Sequence, residues 1–461
     1  MTRRALLSAP AALAAQQPRP NIVLLLADNW AWPHASYYGD PVVKTPVFDR
    51  LAKEGTVFTH SFAPNPSCSP SRSLLLTGQM THRLGEAASL YGNLSPQVPA
   101  YTQLLEKSGY LVGFSGKGWG PGSPEKAGWK HNQAGVSYAD FSSFLKARGQ
   151  GQPFCFWLGS HDPHVPWNRG RERKATMNPA QVKVPAHLPD TAVVRDDILN
   201  YYCEVQQFDF ECGEILAALA AAGELDNTIV VMTSDNGWQV PRGLGNCYDL
   251  GVRTPLAIRY PRRFKAGEVR EDFVSIGDLA PTFLELTGLA IPSAATEKSL
   301  LSKQRRSEMF LERERHANVR KGDLSYPVRG VRTAEYLYLR NFEPERWPAG
   351  DPEFYWAVGP YGDVDDSPVK QLLLRDKPQP YFDLTLGKRP AEELYVLKSD
   401  PGQVRNVATD PKLAKVKSEL AAKVQAWMVA TKDPRATAPH TDFWDRAPYS
   451  GAKFKGAPPA N

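Results

Sequence analysis

In NPSCSPSRSLLLTG, residues 65–78, the thiol of Cys68 stands two residues before Pro70 and four before Arg72. Proline suits the first position of a helix, and serine suits the cap before it. The stretch therefore predicts a helix opening at Pro70, with Ser69 as its cap, Cys68 just ahead of the first turn and Arg72 within it. Free N–H groups and the dipole at such an end favour an anion. A reactive side chain, a fixed cation and an anion-binding helix end thus fall together. A thiolate nucleophile would want a histidine base, which keeps a Cys-His hydrolase open as one reading. Elsewhere Asp28, Asn29, Asp235 and Asn236 supply four oxygen donors and no soft ligand. That set suits Ca2+ or Mg2+ and not zinc.

Those residues need elements to hold them. NIVLLLAD (21–28), YLVGFSG (110–116), PFCFWLGS (153–160) and TIVVMTS (228–234) are apolar runs that predict buried strands. Helical patterns lie between them at 45–55, 102–109 and 193–223, the last as one helix or two. This alternation implies an α/β fold with a large, mostly parallel sheet sandwiched by helices. Each strand ends in polar chemistry: Asp28 and Asn29, then Lys117, then His161, Asp162 and His164, then Asp235 and Asn236. In such sheets the ligand crevice lies beyond the carboxyl ends of the strands.

From about residue 300 the texture changes. Basic, polar KSLLSKQRRSE is followed by strand-like pieces such as 328–342, a long ordered loop over 343–368 and an amphipathic helix over 410–434. The expected organisation is a leader over 1–17, a catalytic α/β domain over 18–300, and a smaller α+β subdomain over 301–461. The subdomain carries a short antiparallel sheet and completes the pocket, and its polar tail from 435 reads as either a wrapping arm or a frayed end.

A chain of 461 residues, 42% hydrophobic and 23% charged, has globular composition and room for one large domain plus a smaller one. The net charge of +6 suits an anionic ligand, and no dense basic run with interleaved aromatics points to nucleic acid. MTRRALLSAPAALAAQQPRP joins Arg3 and Arg4 to a short small-apolar stretch and an Ala-rich exit near Ala14 and Ala15. That is the pattern of a secretory signal with a twin-arginine hint. The mature chain is expected to be periplasmic or secreted, without stable membrane insertion, since no other segment is long and apolar enough. Five cysteines show no zinc spacing, and Cys203 and Cys212 lie too far apart on one predicted helix to bridge. Composition leaves the oligomeric state open.

The run CSPSRSLLLTG, Cys68 to Gly78, resembles the signature of the sulfatase family, the formylglycine-dependent branch of the alkaline phosphatase superfamily. LLLADN, SGKG, HDPH and TSDNG fall in the sulfatase order, and EELYVLKSDPGQVRNVATDP is similar to that family's closing segment. SCSPSR, HDPH and SYPVR at 325–329 resemble the heparan N-sulfatase (sulfamidase) branch. The resemblance implies that a formylglycine-generating enzyme oxidises Cys68 to an aldehyde. Hydrated, that group would attack sulfur, form a covalent sulfo-enzyme and expel sulfate from it. The resemblance also implies Ca2+ or Mg2+ on Asp28, Asn29, Asp235, Asn236 and residue 68. Arg72 would stabilise the nucleophilic oxygen, Lys117 would neutralise the transferring group, and His161 would protonate the leaving atom. His164, Arg242, Arg315 and His316 are the expected contacts to a sulfated glycan, such as a glycosaminoglycan, or a small sulfated sugar. Three departures stand out. Asn29 takes the place of a usual second aspartate, Trp119 stands where a histidine is usual, and Arg242 is the nearest replacement for a lysine after SDNG. The competing readings are a phosphodiester or phosphonate monoester hydrolase of the same superfamily and a catalytically silent glycan-binding homologue.

Overall fold

The computed structural model describes residues 18–353 and 359–447. The leader over 1–17, residues 354–358 of the expected loop and the tail beyond 447 lie outside the described residues. Nine strands build the main sheet: β1 (Asn21–Ala27), β2 (Thr56–Phe62), β3 (Leu111–Gly116), β4 (Val136–Ser137), β5 (Phe154–Gly159), β6 (Thr228–Ser234), β7 (Arg253–Arg259), β8 (Glu268–Arg270) and β9 (Val274–Ser275). Their order is β4-β3-β5-β1-β6-β7-β2-β8, with β9 also on β2. Of the nine, β7 alone runs against its neighbours, so the sheet is mixed but mostly parallel, as expected.

The central strand shows why both faces are covered. In β1 Val23, Leu25 and Ala27 point into one core with Trp30, Phe48 and Phe208, while Ile22, Leu24 and Leu26 point into another with Leu74, Tyr101 and Leu279. Side chains alternate along a strand, so a strand apolar at every position needs a layer on each side. The first layer is anchored by a single 30-residue helix, Ala192–Ala221, capped by the Thr191 side chain. The second layer contains the helix Cys68–Thr77.

The second subdomain is a four-stranded antiparallel sheet of β10 (Glu308–Arg313), β11 (Val328–Thr333), β12 (Tyr336–Asn341) and β13 (Glu392–Val396), in that order. Met309, Leu311 and Val328 pack on Phe62, Tyr248 and Phe273 of the main domain. Val331, Tyr338 and Leu394 on the other face pack on Leu420, Val424 and Met428 of the helix Ala414–Ala430. The chain then returns to the main domain, where the Trp444 indole is buried and donates to Gly85 O at 3.0 Å. All five cysteines are free and buried. Among the described residues no helix is long and apolar enough to cross a membrane.

Candidate active site

The strands β3, β5, β1 and β6 are consecutive neighbours in the sheet, so the four polar strand ends meet. Backbone bonds lock them together: Lys117 N–H donates to Gly159 O at 2.7 Å, Asp28 N–H to Asp162 O at 2.9 Å and Asp235 N–H to Ala27 O at 3.2 Å. Two residue choices make this closure possible. Gly116 has φ +72°, and a Cβ there would lie 2.2 Å from Gly159 O. Asn29 turns out of β1 at φ 77°, a left-handed conformation that asparagine adopts more readily than most residues.

The helix of the CSPSR segment starts two residues earlier than the sequence predicts. Ser67, not Ser69, is the N-cap, and Cys68 is the first helical residue. Pro70 still falls in the first turn, where its missing N–H leaves no intrahelical bond unmade. Ser69 Oγ donates instead to Pro121 O at 2.7 Å. Gly78 ends the helix at φ 63°, its N–H bonded to Leu74 O at 2.8 Å. Cys68 thereby reaches into the strand-end cluster, with Sγ 3.6 Å from Asp28 Oδ1 and 3.7 Å from Asn236 Nδ2.

Ligand atoms of Asp28, Cys68 and Asp235 all lie within 4.8 Å of one another, and all three residues are buried. Arg72, fully buried, donates from Nε to Asp235 Oδ2 at 2.8 Å and from Nη1 to the carbonyls of Lys117 and Gly118. Lys117 Nζ is 2.5 Å from Asp28 Oδ2. Burial alone would raise the Asp28 carboxyl, but the charges of Lys117, His164 and Arg72 outweigh it and hold Asp28 well below the usual carboxylate range. Asp235 goes the other way. Burial, helped by the Asp28 charge, raises it despite Arg72. Burial pushes the Cys68 thiol far up, with Lys117 opposing and the two carboxylates adding. The thiol therefore stays protonated at neutral pH. Its polar partners are Asp28 and Asn236, and among the described residues no histidine bonds it, which removes the basis for a Cys-His couple.

The donor chemistry fits a hard cation. Asn29 Oδ1 and Asn236 Oδ1 are buried without a hydrogen-bond partner, an expensive arrangement for a carbonyl unless something else coordinates it. Together with Asp28 and Asp235 they make an all-oxygen set of the kind Ca2+ or Mg2+ takes.

The remaining expected residues divide. His161 is exposed at the mouth, and burial, Lys117 and Arg72 lower its pKa against the pull of Asp28. His164 lies at the rim, its Nε2 3.3 Å from Gln239 Nε2. His316 reaches the site from the second subdomain, but as a buried brace. Its Nδ1 is 2.8 Å from Oγ of Ser67, the cap of the Cys68 helix.

Two of the expected substrate contacts are not brought there. Arg242 is buried and donates to the carbonyls of Leu384 and Gln403 and to the Tyr395 hydroxyl, with its guanidinium 3.7 Å over the Tyr248 ring. It lines a separate cavity of about 850 Å³ between the two subdomains, beside Trp32, Arg253 and Arg332. Arg242, expected as the nearest replacement for a lysine after SDNG, thus braces Leu384, Tyr395 and Gln403. Arg315 donates to the carbonyls of Asp323, Asp445 and Ala447 and thereby holds the returning C-terminal arm. Trp119 braces as well: it is buried, and its Nε1 donates to Ser73 Oγ at 2.8 Å on the Cys68 helix.

Sequence reasoning missed Ser67, Gln239 and Asp365. Ser67 stands beside the motif and is a cap type. Gln239 sits in the otherwise apolar run WQV, a polar residue where burial was to be expected. Asp365 carries no signal, because it arrives from another subdomain.

A family model described as Sulfatase matches residues 20–289. Another, described as N-sulphoglucosamine sulphohydrolase, C-terminal, matches residues 244–348. The human N-sulphoglucosamine sulphohydrolase is 29% identical over 484 residues, covering 93% of this chain and 93% of its own. A protein solved in complex with its substrate D-glucosamine-2-N,6-O-disulfate is similar with a TM-score of 0.66 at 20% identity, over 90% of this chain and 99% of that one. The phosphonate monoester hydrolase of Agrobacterium radiobacter gives 0.63 at 19%, over 90% and 96%. At such identities the likeness speaks for the fold, which both chemistries share.

Proposed function

The chain belongs to the sulfatase family, and from that premise we propose that it removes sulfate from a sulfated amino sugar of a glycan, with N-sulfated glucosamine as the first candidate. The family and the sulfamidase-like relatives make it a sulfuric ester hydrolase of the sulfatase type. The finer reading rests on one observation. Cys68, Asp28 and Asp235 converge within 4.8 Å, next to the two asparagine oxygens that no hydrogen bond satisfies.

In this reading Cys68 is oxidised during maturation to formylglycine. The hydrated aldehyde supplies two hydroxyls on one carbon, one to attack sulfur and one to expel sulfate. Asp28, Asn29, Asp235 and Asn236 would hold Ca2+ or Mg2+, which draws charge from sulfuryl oxygens. Arg72, pinned by Asp235 one helical turn beyond residue 68, would stabilise negative charge on that oxygen. Lys117 offers its ammonium to the transferring group. His161, exposed at the mouth, hands its proton to the departing nitrogen or oxygen. A sulfated substrate brings negative charge that raises His161 toward its ordinary value and readies it for that role. The leader expected over 1–17 supports export to the periplasm or beyond the cell, where the enzyme would meet sulfated polysaccharide.

Mass spectrometry of the peptide containing Cys68, joined to rates on glucosamine N-sulfate, an aryl sulfate and a phosphodiester, tests the reading. An aldehyde at 68 with preference for a sulfated substrate is the expected result. An intact thiol in protein from a host with the oxidising enzyme would favour the silent glycan binder, and preference for the phosphodiester would favour the phosphonate-type hydrolase.

A further inference from the structure

We propose that Gln239 is a positioning residue: it fixes the side-chain amide of Asn29 so that Oδ1, and not Nδ2, faces the acid cluster. The inference rests on the reading of Asn29 as a metal ligand. A carboxamide can be placed either way round, and only its neighbours decide. Here the neighbours decide at both ends. The Val165 N–H, which can only donate, lies 2.9 Å from Gln239 Oε1. Asp365 Oδ2, an acceptor when ionised, meets Gln239 Nε2. In its neutral form His164 agrees: its Nδ1 is 2.6 Å from Val165 O and carries the one proton, which leaves Nε2 to accept from Gln239 Nε2 at 3.3 Å. The oxygen of Gln239 therefore points inward. It takes a second hydrogen bond, from Asn29 Nδ2 at 3.1 Å, so Asn29 must turn its oxygen the opposite way, where it is buried without a hydrogen-bond partner. The Asn29 backbone is pinned too, its N–H 3.3 Å from Asp235 Oδ1.

The pair also makes a prediction against intuition. Asn29→Asp adds a negative charge to a cation site, and charge alone would tighten binding. But one carboxylate oxygen would then face Gln239 Oε1, and Gln239 cannot turn over without losing Val165 and Asp365. The gain should appear only when Gln239 is removed.

The test is Ca2+ affinity by isothermal titration calorimetry on full-length, chelator-stripped protein, for wild type, Gln239→Leu, Asn29→Asp and the double variant. Gln239→Leu is expected to weaken Ca2+ by roughly 10–100-fold, the usual loss when a ligand's outer partner is removed. Asn29→Asp alone is expected to bind no tighter than wild type, yet the double variant at least about tenfold tighter than Gln239→Leu. Should Gln239→Leu fail to fold, Gln239→Met reads the same coupling. A thioether puts no carbonyl oxygen against residue 29, and Asn29→Asp should then tighten binding. Wild-type affinity in Gln239→Leu, or an equal tightening by Asn29→Asp in every background, overturns the inference. Wild type that binds neither Ca2+ nor Mg2+ overturns instead the assignment of Asn29 as a ligand.

Discussion

Among the buried clusters of arginine and carboxylate in this molecule, one lies at the strand ends and a second, around Glu314 and Asp433, in the second subdomain. In the second, Glu314 Oε1 accepts from Arg329 and Arg435, and its Oε2 from Arg435 again. Asp433 Oδ2 accepts from Arg329 Nε, and its Oδ1 from the Arg435 N–H. Each oxygen of these two carboxylates is paired within the protein. At the strand ends Arg72 and Asp235 pair equally well, yet Asn29 Oδ1, Asn236 Oδ1 and Arg72 Nη2 have no hydrogen-bond partner. Buried charge therefore does not by itself mark chemistry. A single unpaired atom does not either, for Arg242 Nε lacks a hydrogen-bond partner as well; what sets the strand ends apart is that such atoms adjoin the converging Asp28, Cys68 and Asp235.

The sharpest way to break this contrast is to remove one group from each cluster and read turnover and melting together. Cys68→Ala should lose on the order of 10⁶ in kcat, as loss of a nucleophile does elsewhere, with the melting temperature nearly unchanged. Arg72→Ala and Lys117→Ala should each cost about 10²–10³ in kcat. Arg72→Ala should also melt earlier, since it strands Asp235 in the interior.

In the closed cluster the effects should separate the other way. Glu314→Ala leaves Arg329 and Arg435 buried without that partner, and should destabilise the protein by about 3–5 kcal/mol. The kcat of the fraction that remains folded should stay within about twofold, as expected where no reacting group is touched. A hundredfold slower Glu314→Ala enzyme with an unchanged melt would refute the division drawn between the two clusters.

The same division explains what the sequence could reveal. Continuous apolar strands and the residues that follow them are local signals, so the sheet and its four polar ends were legible before any coordinates. RERH at 313–316 was legible only as charge. Whether an arginine faces substrate or a carbonyl depends on which distant segment packs against it, and for Arg315 that segment is the arm near Ala447. Arg242 misled for the same reason, with Leu384 and Gln403 as its distant partners. The two-residue shift of the helix start is smaller in kind: Ser67 and Ser69 are equal as caps, and His316, remote in sequence, holds the hydroxyl of Ser67.

The smallest expected effect is a difference in sign. Burial would raise Glu312 of β10, but His82 and Arg329 pull its carboxyl from 4.5 down to about 2. Burial, with the Asp278 charge, pushes Glu297 from 4.5 up to about 8 against Arg306. Glu297 lies beneath the end of the Cys68 helix, its N–H bonded to Gly78 O at 2.9 Å. A depressed carboxyl contributes stability above its unfolded pKa and loses it as pH falls, so Glu312 stabilises above about 4.5 and its contribution fades toward pH 2. A raised carboxyl binds its proton more tightly when folded. Glu297 therefore stabilises below about 4.5, and its contribution fades as pH climbs through about 8. Each group can tilt stability by at most about 1.4 kcal/mol per pH unit. Urea melts across pH should accordingly show Glu312→Gln flattening the acid limb and Glu297→Gln flattening the alkaline limb. If Glu297→Gln leaves the slope between about pH 4.5 and 8 untouched, that carboxyl is ionised in the folded protein, and the region under the helix is as fully paired as the cluster around Glu314.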